Sequence, residues 1–183
     1  MAARSDAVLV HDPHAQVSIR ALRGDDSIEE LTRLLHRAYA TLARLGLNFT
    51  AAHQTPETTR RRVEHGQCFV AVDGARLVGT ILVNSVVPNP LGERFGKPHA
   101  ASIHQLAVAP HGRGRGVGSR LLAHAEGWVE KLGFSDIALD TAESAPQLLA
   151  YYVRRGYRSV SSVQWAGKTY RSIIMSKELR PNA

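Results

Sequence analysis

The run His104-Gln105-Leu106-Ala107-Val108-Ala109-Pro110-His111-Gly112-Arg113-Gly114-Arg115-Gly116-Val117-Gly118-Ser119 joins residue types suited to holding an anion. An apolar, strand-like segment enters a turn rich in glycine and arginine, and an amphipathic helix follows at once. Glycines at the mouth of a helix leave its first backbone N–H groups open and let an anion come close. Arg113 and Arg115 add fixed positive charge that suits phosphate. The combination predicts a polyphosphate site. It is not the nucleoside-triphosphate loop, because no Lys follows the glycines as G-x-x-x-x-G-K-[ST] requires. It is not the dinucleotide fingerprint G-x-G-x-x-G either: counted from Gly112 the last place is Val117, and from Gly114 it is Ser119. A Gly/Arg tract alone could be a flexible basic loop or a nucleic-acid segment. The apolar strand before it and the long amphipathic helix after it favour a built anion site.

The spacing that fits is R-x-x-G-x-G, from Arg113 to Gly118, preceded by Leu106-Ala107-Val108-Ala109-Pro110. This resembles the Gcn5-related N-acetyltransferase (GNAT) superfamily, with a similar order of elements over about residues 17–179. The resemblance implies an α/β fold whose mixed, mostly antiparallel central sheet is flanked by helices. It implies transfer of an acetyl group from acetyl-coenzyme A to a primary amine, by direct attack in a ternary complex. Arg113, Gly114, Arg115, Gly116, Val117, Gly118 and Ser119 would then wrap the cofactor pyrophosphate, and Leu106, Ala107 and Val108 would present backbone groups to the pantetheine arm. In the superfamily this strand is bulged, and a backbone N–H near Leu106 faces the thioester oxygen. Such a donor can stabilise developing negative charge by ~3 kcal/mol.

The segment Leu149-Ala150-Tyr151-Tyr152-Val153-Arg154-Arg155-Gly156-Tyr157 looks like the family pattern F-Y-x-x-x-G-F. Tyr152 then takes the place of the tyrosine whose hydroxyl lies near the cofactor sulfur. A phenol of ordinary pKa ~10 keeps its proton at neutral pH and can donate it to a departing thiolate. His104 lies two residues before Leu106, so simple strand alternation expects Ser102, His104 and Leu106 on one face. Arylalkylamine acetyltransferases carry histidines in a similar stretch, which makes His104 a candidate base beside its plain structural reading. Glu143 is a second candidate. Ala145 stands where family members often carry Asn, seven residues before the tyrosine, so that contact must come from elsewhere, with Ser144 and Gln147 the nearest suppliers. The acidic residue that peptide acetyltransferases place in the strand before the turn is not evident, which favours a small amine as acceptor. A peptide acceptor and a non-catalytic acyl-CoA sensor are the rival readings. The acceptor is expected along Gly46 to Thr55 and Val87 to His99, where Asn48, His53 and Glu93 stand out.

Composition sets bounds on this reading. The 183 residues are 44% hydrophobic and 21% charged, the balance of a chain able to bury a core. One acetyltransferase domain is expected over residues 16–183, after an irregular arm at 1–15 broken by Asp12-Pro13. The longest apolar run, Leu77 to Val87, is interrupted by Gly79, Thr80, Asn84 and Ser85, so no membrane span is expected. A net charge of +7 could draw nucleic acid, but an anionic cofactor explains part of it, and Arg60-Arg61-Arg62 reads as a solvated helix face. The lone cysteine, Cys68, excludes an internal disulfide, reads as a buried structural thiol and suits a cytoplasmic setting. The histidines lack H-E-x-x-H or other tight ligand spacing, so no metal site is expected. Pairing of two copies into a homodimer is left open.

The elements that must position these groups follow from local signals. Val17–Leu22 reads as a strand, and Asp26-Ser27-Ile28-Glu29 as the capping box of a helix with the stripe Leu31, Leu34, Leu35, Ala38, Leu42, Leu45, ended by Gly46. Thr55-Pro56-Glu57 opens a second helix, with Pro in its favoured first turn. Cys68–Val72 and Leu77–Val86 read as strands around an Asp73-Gly74 hairpin turn, and Pro88–Pro98 as a loop. Ile103–Val108 and Ile137–Asp140 flank the helix marked by Val117, Leu121, Leu122, Ala125, Trp128, Val129 and Leu132, which Gly133 closes. A short helix from Ser144 to Arg155 and two antiparallel strands, Tyr157–Val163 and Thr169–Ser176, complete the chain.

Overall fold

In the computed structural model, which describes residues 17–85 and 100–179, seven strands form one sheet in the order β1-β2-β3-β4-β5-β7-β6. The elements run β1 (Ser18–Ala21), α1 (Ile28–Arg44), a short 3-10 turn (Thr50–Ala52), α2 (Pro56–Glu64), β2 (Gln67–Asp73) and β3 (Arg76–Asn84). They continue with β4 (Ala101–Val108), α3 (Val117–Lys131), β5 (Asp136–Ala142), α4 (Pro146–Val153), β6 (Arg158–Val163) and β7 (Ser172–Glu178). All neighbouring strands pair antiparallel except β4 and β5. The α/β class and the mostly antiparallel sheet are as expected. The expected arm at 1–15 and the Pro88–Pro98 loop lie outside the described residues.

Both faces of the sheet are covered, and alternation along β2 shows how. Phe69 and Ala71 join the core beneath α3, while Cys68, Val70 and Val72 join the core beneath α1. The Cys68 thiol is buried against Thr80 Oγ1 at 3.4 Å, and burial pushes its pKa up to about 11, so it is an inert packing group.

Helix entry differs from the expectation at α1. The cap is Ser27 rather than Asp26: the Ser27 hydroxyl accepts from the Glu30 N–H at 3.1 Å. Asp26 instead takes two bonds from Arg20, at 2.6 and 2.8 Å, and that pairing holds its carboxyl below the usual carboxylate range. The apolar stripe ends sooner than read, because Leu45 is 64% exposed. The last strand begins three residues later than expected, since Thr169 is tied instead to Gly46 and Asn48.

Candidate active site

A bulge in β4 creates the site. On β3, one residue separates Thr80 from Leu82, while on β4 two residues separate their partners Ala107 and His104. The extra residue is accommodated at Gln105, the only described non-glycine residue with positive φ, at 54°. The bulge inverts the alternation. Before it, Ala101 and Ile103 face the α3 core; after it, Leu106 and Val108 do. Ser102 and His104 therefore share the opposite face, with Ser102 Oγ and His104 Nε2 2.9 Å apart, and Leu106 does not join them. The expected shared face of three residues is corrected by this one backbone distortion.

The same region loses its neighbour. β4 pairs with β5 only at Ala101–Ile137 and Ser102–Ala138, so from Ile103 to Val108 its edge away from β3 has no partner strand among the described residues. A cleft of about 990 Å³ occupies the opening. At one end lie the glycine turn and the N-terminus of α3. Gly116 caps α3 in the left-handed conformation (φ 73°), offers no side-chain acceptor, and no acidic residue stands in the first turn. The first α3 N–H groups are thus left for an external anion. Gly118 is closely covered as well: a Cβ there would lie 3.0 Å from the Tyr151 hydroxyl oxygen, which would have to give by a few tenths of an ångström.

The two arginines of the turn separate. Arg113 lines the cleft and donates to the Ala38 carbonyl of α1 at 2.8 Å, fastening the turn to that helix. Arg115 leaves in another direction and pairs with Asp73 at 2.7 Å. Left-handed residues at Gly114 and Gly116 on either side send its side chain to the β2–β3 end, so only its backbone is left near the turn. Arg155 joins the site instead. It bonds Ser119 Oγ and lies 3.5 Å above the Tyr151 ring, within the cleft wall and beside the α3 N-terminus. Gln147 also lines the cleft, whereas Ser144 and Glu143 do not.

Tyr152 stands in the cleft wall between two aromatic neighbours, its ring centroid 5.2 Å from that of Tyr151 and 5.7 Å from that of Tyr157. Tyr157 is fixed in turn by a 3.0 Å bond from its hydroxyl to Glu126, which Lys177 pairs at 2.6 Å. Burial drives the Tyr152 pKa far above the ordinary phenol value, so the group keeps its proton at any physiological pH. His104 behaves in the opposite sense. Burial, with the nearby Arg62 charge, pushes its pKa down to about 4, so the imidazole is neutral near pH 7 and does not titrate at the ordinary 6.5.

This has a measurable consequence. Between about pH 6.5 and 4 the unfolded chain protonates His104 while the folded one does not. The unfolded state binds more protons there, so stability falls as pH falls through that window. In His104→Gln, which keeps a hydrogen-bonding partner for Ser102, this component should vanish. Melting temperatures from pH 7 to 4 should converge by roughly 5 °C relative to the wild type. Parallel melting curves would mean that the folded imidazole protonates normally.

Several lining residues had no signal in the sequence. Tyr39 of α1 donates to the Leu106 carbonyl at 3.1 Å and so holds the bulge; burial raises its pKa to about 12. Phe49 stacks between Tyr39 and Tyr170, at 5.4 and 4.7 Å, forming an aromatic wall. Arg62 lines the cleft while Arg60 and Arg61 are exposed, so the solvated-face reading is corrected for that one residue. From Gly46–Thr55 the cleft takes Phe49, Thr50 and Ala51; Asn48 instead braces the turn at Gly167, and His53 is outside. Val87–His99, with Glu93, lies outside the described residues.

A splayed β4–β5 pair thus lies beside a bulged strand and an uncapped, glycine-entered helix, a site open to a long anionic ligand. The chain belongs to the Acetyltransferase (GNAT) family, whose sequence model matches residues 28–157. It is 31% identical over 161 residues to the S-(2-succino)cysteine N-acetyltransferase of Bacillus subtilis, covering 83% of this chain and 90% of that one. The fold is that of the ribosomal-protein-S18-alanine N-acetyltransferase of Escherichia coli, with a TM-score of 0.70 at 17% identity over 92% and 97% of the two chains. It also matches a GNAT acetyltransferase of Elizabethkingia anophelis solved with acetyl-CoA bound, with a TM-score of 0.63 at 15% identity over 89% and 98%. The chain is an acetyl-CoA-dependent N-acetyltransferase. Among the described residues, no helix is long and apolar enough to cross a membrane.

Proposed function

We propose that this chain moves the acetyl group of acetyl-CoA directly to the primary amine of a small molecule, without an acyl-enzyme stage. The observation that carries this reading is the convergence of Tyr152, the β4 bulge and the open α3 N-terminus on one cleft. The uncapped helix and the partnerless β4 edge fit a long, phosphate-bearing thioester. The turn from Arg113 to Ser119, without the Arg115 side chain and with Arg155 added, would hold its pyrophosphate; Leu106, Ala107 and Val108 would align its arm. Acetyl-CoA supplies the activated acyl thioester.

The chain supplies position and protons. Backbone N–H groups at the Gln105–Leu106 bulge donate toward the thioester oxygen as charge develops there. Neutral His104 accepts a hydrogen bond from the attacking amine, ready to take up the proton it sheds. As the N–C bond forms and the C–S bond breaks, Tyr152 gives its proton to sulfur. The proton shed by nitrogen leaves by way of His104 and water and restores the phenol. Cys68 takes no part, being a buried, protonated thiol outside the cleft.

The name of the Bacillus subtilis relative makes S-(2-succino)cysteine the first acceptor to assay. Thiol release from acetyl-CoA should require an amine, and reciprocal initial-velocity lines for the two substrates should intersect. Parallel lines would indicate an acyl-enzyme and sink direct transfer. Thiol release no faster than solvent hydrolysis with every amine would favour an acyl-CoA sensor.

A further inference from the structure

Among the described residues, the acceptor end of the cleft carries two cationic side chains and one carboxylate. Arg62 of α2 and Lys168 of the β6–β7 turn both line it, with Asp140 of β5 as the carboxylate among the described lining residues. Among the described residues the Arg62 guanidinium makes no hydrogen bond or ion pair. Lys168 Nζ donates only to neutral oxygens, the Asn48 carbonyl and Thr50 Oγ1, both at 2.9 Å. One Asp140 oxygen is already engaged by Trp165 Nε1 at 2.9 Å.

A partly buried guanidinium without an anion is costly, because desolvation of the charge is uncompensated. Burial lowers the pKa of both cations and the Arg62 charge lowers that of Lys168 further, an effect the Asp140 carboxylate offsets only in part. Neither is placed for the cofactor phosphates. Those belong to the α3 N-terminus, where Arg113 and Arg155 stand, whereas Arg62 is the charge that acts on His104 and Tyr39 beside the bulge. The aromatic wall of Tyr39, Phe49 and Tyr170 gives this end an apolar side, which strengthens any charge pair formed against it.

We propose that the acceptor is an anionic amine, an amino acid or related carboxylate, whose carboxylate is gripped by the free guanidinium of Arg62 and the ammonium of Lys168. Asp140 faces the acceptor's amino end. A guanidinium takes a planar carboxylate through two parallel hydrogen bonds, which fixes the distance from carboxylate to amine. The acceptor thus brings a second anion to set beside Asp140 against the two cations. This inference rests on the acetyltransfer reading for its amine, but its recognition half can be read without turnover.

The test is a calorimetric titration of the coenzyme A-saturated protein with L-aspartate, L-glutamate and S-carboxymethyl-L-cysteine, each beside its methyl ester. At least one acid should bind roughly tenfold or more tightly than its ester, the value of a charge-assisted hydrogen bond. Arg62→Gln should erase that preference while coenzyme A affinity, the control for folding, stays unchanged; Arg62→Lys should restore part of it. Lys168→Gln should weaken acid binding to a smaller extent. In turnover with an accepted acid, Arg62→Gln should raise acceptor KM far more than it lowers kcat. Equal affinity for acid and ester, or binding of neither, overturns the proposal, as does an acid preference that survives both substitutions. Acid-selective binding without acetyl transfer would instead leave this site standing and overturn the reaction proposed above.

Discussion

Tyr152→Phe should retain wild-type affinity for coenzyme A and for the acceptor while kcat falls at least roughly tenfold, toward the 10²-fold that general acid catalysis commonly contributes. The substitution keeps the ring, and with it the edge contacts to Tyr151 and Tyr157 that hold the α4 end of the cleft. It removes only a hydroxyl. Burial holds that phenol protonated far beyond the physiological range, so the group enters every turnover carrying its proton. It also means that the phenol gives the proton up only where negative charge appears beside it, which occurs as the thiolate departs. An interaction used at that moment alone affects kcat and kcat/KM and leaves ground-state binding untouched. The measurement is steady-state kinetics at saturating acetyl-CoA, with a pre-steady-state trace to show that chemistry limits turnover. An unchanged kcat under those conditions removes Tyr152 from proton transfer. Loss of coenzyme A binding makes it a packing residue.

The parts of this site that could be read from the sequence are those whose chemistry is local. Glycines at 114, 116 and 118, an apolar run before them and a periodic helix after them specify an open helix N-terminus whatever the tertiary context. The Tyr151-Tyr152 pair and Gly156 likewise belong to one short helix and its exit. What escaped reading depends on the phase of the backbone. The resemblance implies a bulge in this strand but not its place, and the shift at Gln105 decides that His104 and Leu106 face opposite sides. Arg113 and Arg115 are chemically alike and two residues apart, and only the left-handed turn between them sends one to the cleft and the other to Asp73. Arg62 is one of three consecutive arginines, and helix phase alone turns it inward. The acceptor end is assembled from α1, α2, β5 and the β6–β7 turn, which together span more than a hundred residues of chain, so no window of sequence contains it.

The phosphate end admits a test in which folding and binding move in opposite directions. Gly116→Glu would block the site but is a poor probe, since Gly116 is left-handed at φ 73° and any side chain there strains the turn by ~1–2 kcal/mol. Ser119→Asp avoids this. Ser119 is the third helical residue of α3, where an acidic side chain complements the helix dipole, and α3 has no acid in its first turn. The half-buried Ser119 hydroxyl already bonds Arg155, so the new carboxylate gains a partner at once. The variant should therefore melt at the wild-type temperature or slightly above it. Coenzyme A should nevertheless bind far more weakly. A carboxylate at the mouth of the helix competes for the N–H groups and for Arg155, and it repels the pyrophosphate. At about 5 Å and an effective dielectric of about 20, one such repulsion is worth ~3 kcal/mol, roughly a hundredfold in affinity. The loss should shrink at high salt, because the cleft mouth is open to ions. Ser119→Ala, which removes the hydroxyl without adding charge, should change affinity only a few-fold. Calorimetry with coenzyme A beside thermal melts of the two variants separates the outcomes. If Ser119→Asp binds coenzyme A as the wild type does, the α3 N-terminus is not where the phosphates sit.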